Sequence, residues 1–280
     1  LPIRFDSASL ARAAQVEWAA NRNIEIDPQG YTLRLEDNLF QPLNESTRAE
    51  LAAGAGDELG ANGRRGKMRA LHASSALAVN VFDYWRGRAC EPLARALGVE
   101  GAIDDIQFER TFPTGMQGTP PHLDVTLTFD DGRVIAVESK FLEPYPGRAH
   151  PRPFRNTYFP EGAGRWIAGA LPACQKIAEA LRAGETIYLH LDAQQLLKHA
   201  LGLANAVGDR YALWYVWYDV GGEDGERHRR EIAEFSGCVD ASLRFRATSY
   251  QDMIGRLADE CGPPYNEYIS YLRQRYGKAT

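Results

Sequence analysis

Asp124 and the trio Glu138-Ser139-Lys140 are the residues whose types and spacing can do chemistry. They stand between Pro120 and Phe141, in a stretch otherwise dominated by apolar and β-branched residues. Charges in such a setting are costly unless they pair with one another or hold a metal. Two neighbouring carboxylates repel, and a divalent cation bound between them removes the repulsion. Hard oxygen ligands suit Mg²⁺ or Mn²⁺. The main-chain carbonyl of Ser139, between Glu138 and Lys140, can add a ligand. A cation held there would polarise a phosphate oxygen and acidify a water. Lys140 beside it would orient that water or neutralise developing charge.

This chemistry requires a hairpin in one particular register. Glu138 and Lys140 are two residues apart on a predicted strand and so share a face. A two-residue loop, Asp131-Gly132, would set Asp124 opposite Ser139. A three-residue loop, Asp130-Asp131-Gly132, pairs Phe129 with Arg133 and sets Asp124 opposite Glu138. Glycine as third residue suits the left-handed position of that loop. The apolar pattern agrees, because Leu127 then meets Ile135 and Val125 meets Val137 on one face, while Asp124, Thr126, Glu138 and Lys140 share the other. The two-residue register would pair Val125 with Glu138 and mix the faces, which a half-buried sheet resists.

An aspartate at the start of one strand and Glu-x-Lys on the next resembles the PD-(D/E)xK nuclease superfamily, with Asp124 and Glu138-Ser139-Lys140 at the motif positions. The family's adjacent Pro-Asp pair is absent, since two residues separate Pro121 from Asp124. The resemblance implies an α/β, restriction-endonuclease-like core. It also implies metal-dependent cleavage of phosphodiester bonds, with DNA as substrate and Mg²⁺ or Mn²⁺ as cofactor. Glu109 lies on the preceding strand, where the superfamily often places another acidic residue. Gln195 lies on a later helix, where some branches place a glutamine near the site. The Ser74-Ser75-Ala76 start and the Glu138-Ser139-Lys140-Phe141 string also resemble a poorly characterised bacterial branch of these nucleases.

The elements that must position these residues follow from periodicity and caps. A helix is predicted over Ser74–Leu97, with Ser74 or Ser75 as N-cap and Gly98 as stop. A strand follows near Ile106–Thr111, then the hairpin, a helix near Ala193–Ala206 and an apolar strand at Tyr211–Tyr218. The order α-β-β-β-α-β, a mixed sheet flanked by helices, is that of the superfamily core. Gln195 and His199 are one helical turn apart and face the same way. His122 shares the face of Asp124 if its strand begins that early, within reach of metal or phosphate.

Around this core, residues 1–70 read as an N-terminal extension and 71–280 as the nuclease-like domain with C-terminal additions. Helices are expected near Ser9–Ala20 and over Arg165–Arg182, the second kinked or broken at Pro172. Ala52–Gly66 and residues 144–163 read as loops, and Gly221–Glu226 as an exposed turn. Beyond it come a helix, a strand near Ser242–Ala247, and helices near Tyr250–Glu260 and Tyr265–Tyr276.

Composition bounds the alternatives. A chain of 280 residues with 44% hydrophobic content can bury a large core. It contains no apolar run of membrane-spanning length, and its opening residues, Leu1-Pro2-Ile3-Arg4-Phe5-Asp6, lack an apolar signal core. Cys90, Cys174, Cys238 and Cys261 form no Cys-x-x-Cys pair and read as reduced thiols of a cytoplasmic protein. There is no Gly-x-Ser-x-Gly, Walker loop or His-Glu-x-x-His.

A net charge of −5 argues against strong non-specific DNA binding, yet two basic stretches stand out. One is Arg64-Arg65-Gly66-Lys67-Met68-Arg69. The other carries Arg148, Arg152 and Arg155 in a Pro-rich loop after Lys140, placed to reach a phosphate backbone. Taken singly, each also reads as a solvated loop. Glu-x-Lys alone often means solvated charge on an edge strand, or a structural salt bridge of Lys140 with Asp124 or Glu138. The rival to a nuclease is a non-catalytic nucleic-acid or protein-binding module that retains the fold.

Overall fold

Among the described residues, β-branched and aromatic residues concentrate in five strands: β1 (Ile103–Thr111), β2 (His122–Phe129), β3 (Val134–Lys140), β4 (Tyr211–Trp217) and β5 (Arg246–Ser249). They form one sheet in the order β1-β2-β3-β4-β5. The first three are antiparallel, and β4 and β5 are added parallel. The computed structural model describes residues 6–54, 56–60, 63–118, 120–145, 154–162, 164–239 and 241–277.

The β2–β3 connection is the three-residue loop. Phe129 N–H donates to the Arg133 carbonyl at 2.9 Å, Gly132 N–H donates to the Phe129 carbonyl at 2.9 Å, and Gly132 has φ +79°. Val125 pairs with Val137 and Leu127 with Ile135, as the apolar pattern requires. β4 pairs with β3 along its length and is buried on both faces, with Trp214 and Val216 on one side and Leu213, Tyr215 and Trp217 on the other. The aromatic run Trp214–Tyr218 is therefore core.

Helices cover both faces. They are α1 (Ser7–Ala20), α2 (Glu45–Ala53), α3 (Ser74–Phe82), α4 (Glu91–Ala96), α5 (Arg165–Ala168), α6 (Pro172–Ala183), α7 (Ala193–Val207), α8 (Gly222–Cys238), α9 (Tyr250–Glu260) and α10 (Asn266–Tyr276). Side chains of α1, α3, α4, α9 and α10 share one apolar cluster with Val125, Leu127, Ile135 and Val137. Side chains of α6, α7 and α8 share the other with Val134, Ala136 and Leu213. The α-β-β-β-α-β order lies within this arrangement. No described helix is long and apolar enough to cross a membrane.

Several elements depart from the sequence expectation for local reasons. The helix expected over Ser74–Leu97 is two helices. Asp83 accepts from Asn44 N–H at 3.2 Å and from the Thr47 hydroxyl, Gly87 adopts φ +74°, and Pro92 opens α4. The N-cap of α3 is Ala73, and the Ser75 hydroxyl instead donates to Glu58. Pro172 begins α6, because the chain breaks at Ala170, which has φ +60°. The turn expected at Gly221–Glu226 is the first turn of α8, where Glu223 and Asp224 suit the positive end of the helix dipole. The segment Ala52–Gly66 opens with the end of α2, and the fifth strand lies at Arg246–Ser249.

Arg275 of α10 ties the two chain ends together. Its guanidinium is buried, donates to Gln15 Oε1 at 3.1 Å and the Asn38 carbonyl at 2.9 Å, and stacks 4.0 Å from the Trp18 ring centroid.

The hairpin register depends on a left-handed residue at position 132, where a Cβ would lie 3.0 Å from an Arg210 guanidinium nitrogen. Gly132→Ala is expected to cost about 1–2 kcal/mol of stability. Urea unfolding of the purified variant measures it; an unchanged midpoint would show that the loop does not hold the register.

Candidate active site

The ladders bring the acidic residues to one level. Between the pairs Phe108–Val125 and Arg110–Leu123 of β1–β2, Glu109 falls opposite Asp124, and β2–β3 continued by one residue beyond Val125–Val137 sets Asp124 opposite Glu138. Even-numbered residues of β3 turn their main-chain groups to β4, since Val134 N–H donates to the Arg210 carbonyl and the Lys140 carbonyl accepts from Tyr218 N–H. Ser139 therefore turns its own to the β2 side, where its N–H donates to Asp124 Oδ2 at 2.6 Å. Its hydroxyl meets the Tyr250 hydroxyl of α9 at 2.6 Å.

Glu138 and Lys140 lie on the opposite face of β3, beneath α7. Asp192 caps α7 through the Gln195 N–H and starts the helix where Gln195 and His199 face the strand. Lys140 Nζ forms an ion pair with Glu138 Oε1 and donates to Gln195 Oε1 at 3.1 Å. His199 Nε2 lies 2.9 Å from Glu138 Oε2, but out of line for a hydrogen bond, so both atoms remain buried without a directed partner. Glu138 is 1% exposed.

The electrostatics separate the two central carboxylates. Burial and the Glu138 charge push the Asp124 carboxyl well above the usual carboxylate range, against Lys140 and the Ser139 amide. Burial also opposes ionisation of Glu138, but Lys140 and His199 overcome it and hold the carboxyl at about 2. Lys140 is held above the usual lysine range; burial works against its charge, and Glu138 and Asp124 outweigh that. An ion pair thus sits beside a carboxyl that resists ionisation, so a cation at this place would relieve a repulsion the protein leaves in place.

Glu109 adopts φ +53°, outside the ordinary strand region. Its carboxyl rests against Gly54 and 3.3 Å from His122 Nδ1. Burial, Glu58 and Glu138 raise it to about 7, against Lys67. His122 is thereby engaged by Glu109, whose carbonyl also lies 3.1 Å from Nδ1. A cavity of about 650 Å³ opens beside Glu109 and His122.

The structure therefore brings together Asp124, Glu138, Ser139, Lys140, Gln195 and His199, with Glu109 on the adjoining strand. Arg155 is not in contact with these residues but lies near Lys198 of α7, and Arg148 and Arg152 lie outside the described residues. Of the first basic stretch, Arg65 stacks 3.4 Å from the Tyr31 ring centroid and Arg69 donates to the Thr32 carbonyl, while Lys67 lines a second cavity of about 450 Å³ with Glu58, Ser75 and Glu143. Sequence reasoning missed Glu58, which sits in a Gly/Ala-rich segment with no periodicity to flag it. Among the described residues, no group of three His, Cys, Asp or Glu side chains is arranged to hold a metal ion.

A family model described as restriction endonuclease associating with ARP matches residues 12–277. No curated protein and no solved structure matches the chain.

The raised carboxyl of Glu109 has a stability consequence. Its folded value of about 7 lies above the ordinary 4.5, so the folded chain keeps a proton that the unfolded chain has lost. The stabilisation is complete below 4.5 and disappears as pH rises through 7. Asp124 tilts stability the same way and Glu138 the other, so the comparison is with wild type. Metal-free Glu109→Gln is expected to lose less stability than wild type between about pH 5 and about pH 8. Urea midpoints at both pH values check this, and parallel changes in the two proteins would refute it.

Proposed function

The chain belongs to the family of restriction endonucleases associating with ARP, and from that premise we propose that it is a metal-dependent nuclease hydrolysing phosphodiester bonds in DNA. One observation carries the reading: a half-buried lysine ammonium clamped between Glu138 and Gln195, next to an aspartate tied to the Ser139 amide.

Asp124, Glu138 and the Ser139 carbonyl are an all-oxygen set of the kind that holds Mg²⁺ or Mn²⁺, and Glu138 Oε2 is a buried oxygen with no directed donor. When bound, the ion would supply charge to polarise the phosphate and to offset the two carboxylates.

The chain's own residues do the rest. An ammonium has three N–H donors. Two of those on Lys140 serve Glu138 and Gln195, which leaves one to orient the attacking water or to meet a phosphoryl oxygen as negative charge grows on it. Gln195 acts by aiming Lys140. Water attacks phosphorus in line and the 3′ or 5′ oxygen leaves. Glu109 is a supporting residue: its carboxyl, protonated or ionised near neutrality, borders the site from β1.

The rival is a binding module that retains the fold. It draws on the lack of a ready three-ligand cluster among the described residues. Calorimetry with Mn²⁺ separates the two. Binding that disappears in Asp124→Ala supports the nuclease, and no binding to wild type supports the rival.

The direct test is cleavage of plasmid, linear and single-stranded DNA with Mg²⁺ or Mn²⁺. Lys140→Ala and Asp124→Ala are each expected to lose about 10²-fold or more in rate. Gln195→Ala, which disturbs only the aiming, is expected to lose about 10-fold to 100-fold. Equal activity in Lys140→Ala would assign the cleavage to another site or to a contaminant.

A further inference from the structure

Four cations share one surface beside α7 and have no carboxylate ion pair among the described residues: Arg155, Arg165, Arg182 and Lys198. What sets this group apart is its clustering around one set of aromatic rings packed on α7, in a chain of net charge −5. Aromatic rings and backbone hold Lys198, Arg182 and Arg165 in place. Lys198 Nζ lies 5.5 Å from the Phe154 ring centroid and 5.8 Å from that of Tyr158. The Arg182 guanidinium lies 4.6 Å from the Phe159 centroid, and Arg165 Nε donates to the Thr157 carbonyl at 2.7 Å. Tyr158 stacks on buried Trp166, whose indole N–H donates to the Leu197 carbonyl of α7 at 2.8 Å. The platform is thus fastened to the helix whose Gln195 contacts Lys140.

Its position points toward the site. Lys198 follows Gln195 by one helical turn on the same face, and Gln195 touches Lys140. The acid whose charge reaches Lys198, Asp192, is engaged in capping α7 through the Gln195 N–H. Burial lowers Lys198 below the usual lysine range, and the like charge of Arg155 adds to that. A cluster of cations that no carboxylate neutralises makes a patch of positive potential, which attracts an anion from outside.

We propose that Arg155, Arg165, Arg182 and Lys198 form a ledge that grips the phosphate backbone of the nucleic acid flanking the scissile bond. The ledge rests on the nuclease reading of the site and extends it to residues that touch no carboxylate of that site. Contacts to successive phosphates fix register without reading sequence.

The measurement is fluorescence anisotropy of a labelled DNA duplex, and of a single strand of equal length, in chelator across a range of KCl concentrations. Each phosphate contact contributes about 0.9 to the slope of log K against log salt for duplex and about 0.7 for a single strand. The combined variant Arg155→Gln, Arg165→Gln, Arg182→Gln, Lys198→Gln is expected to flatten the slope by about three to four and weaken binding at low salt by about tenfold or more. Exchanging the arginines for lysine and Lys198 for arginine is expected to preserve the slope. Arg230→Gln and Arg273→Gln, on α8 and α10, are expected to leave it unchanged.

If the combined variant is unstable by thermal melting, Arg155→Gln and Arg182→Gln, both exposed, carry the test singly, each flattening the slope by about one. Wild-type slope and affinity in the folded variants would overturn the ledge. If wild type cleaves DNA and Lys140→Ala does not, that failure belongs to the ledge alone. If wild type neither binds nor cleaves DNA, the nuclease reading falls and the ledge with it.

Discussion

The site is organised by an ammonium group that cannot be taken out of water alone. Lys140 is tolerated near the α7 face of the sheet because Glu138, two residues earlier on the same strand, meets it there. Removing one partner of such a buried pair typically costs about 3–5 kcal/mol, so the two residues stand or fall together. The pair also fixes what surrounds it. Gln195 and His199 must arrive on one helix face over β3, and Tyr215 and Trp217 must fill the same side of β4. α7 packs over β3 and β4, nearly all of whose residues are buried, and so keeps water from weakening that pair.

A second constraint works against the first. Glu109, Asp124 and Glu138 stand at one level across three strands with a single lysine among them. Glu138 keeps its charge because Lys140 and His199 are beside it, while burial, and then neighbouring carboxylates, push the carboxyls of Asp124 and Glu109 upward. A fold that accepts this repulsion needs stability from elsewhere. The two apolar clusters supply it, together with ties such as Arg275 between the chain ends. Such division of labour, with a tense site on a quiet scaffold, is what pKa-perturbed functional residues lead one to expect.

Charge over the rest of the molecule follows the same logic. The overall excess of acid keeps polyanions from adhering everywhere. Most arginines of the first basic stretch are consumed within the fold, by Asp27, Tyr31, Asp57 and the Thr32 carbonyl. Arg64 and Arg65 are neutralised by carboxylates, whereas the cations beside α7 meet rings and a main-chain carbonyl that leave their charge in place.

The hairpin was legible in the chain itself. Strand periodicity, the Asp130-Asp131-Gly132 loop and the cost of mixing apolar and charged faces permit one register, and that register puts Asp124 level with Glu138. The order of the core elements was legible for the same reason, because burial patterns are local. Helix boundaries were less so, since Asp83 ends its helix by bonding Asn44 and Thr47, which are distant in sequence. The partners of the site were beyond reading from local pattern. Glu58 approaches Glu109, and His199 approaches Glu138, only after loops and helices from separate parts of the chain pack together. Local sequence determines strand, turn and face through short-range sterics and the period of burial. Which carboxylate keeps its charge, and which cations meet a carboxylate, was decided by tertiary packing, because desolvation and Coulomb forces depend on distances between segments that sequence spacing does not encode.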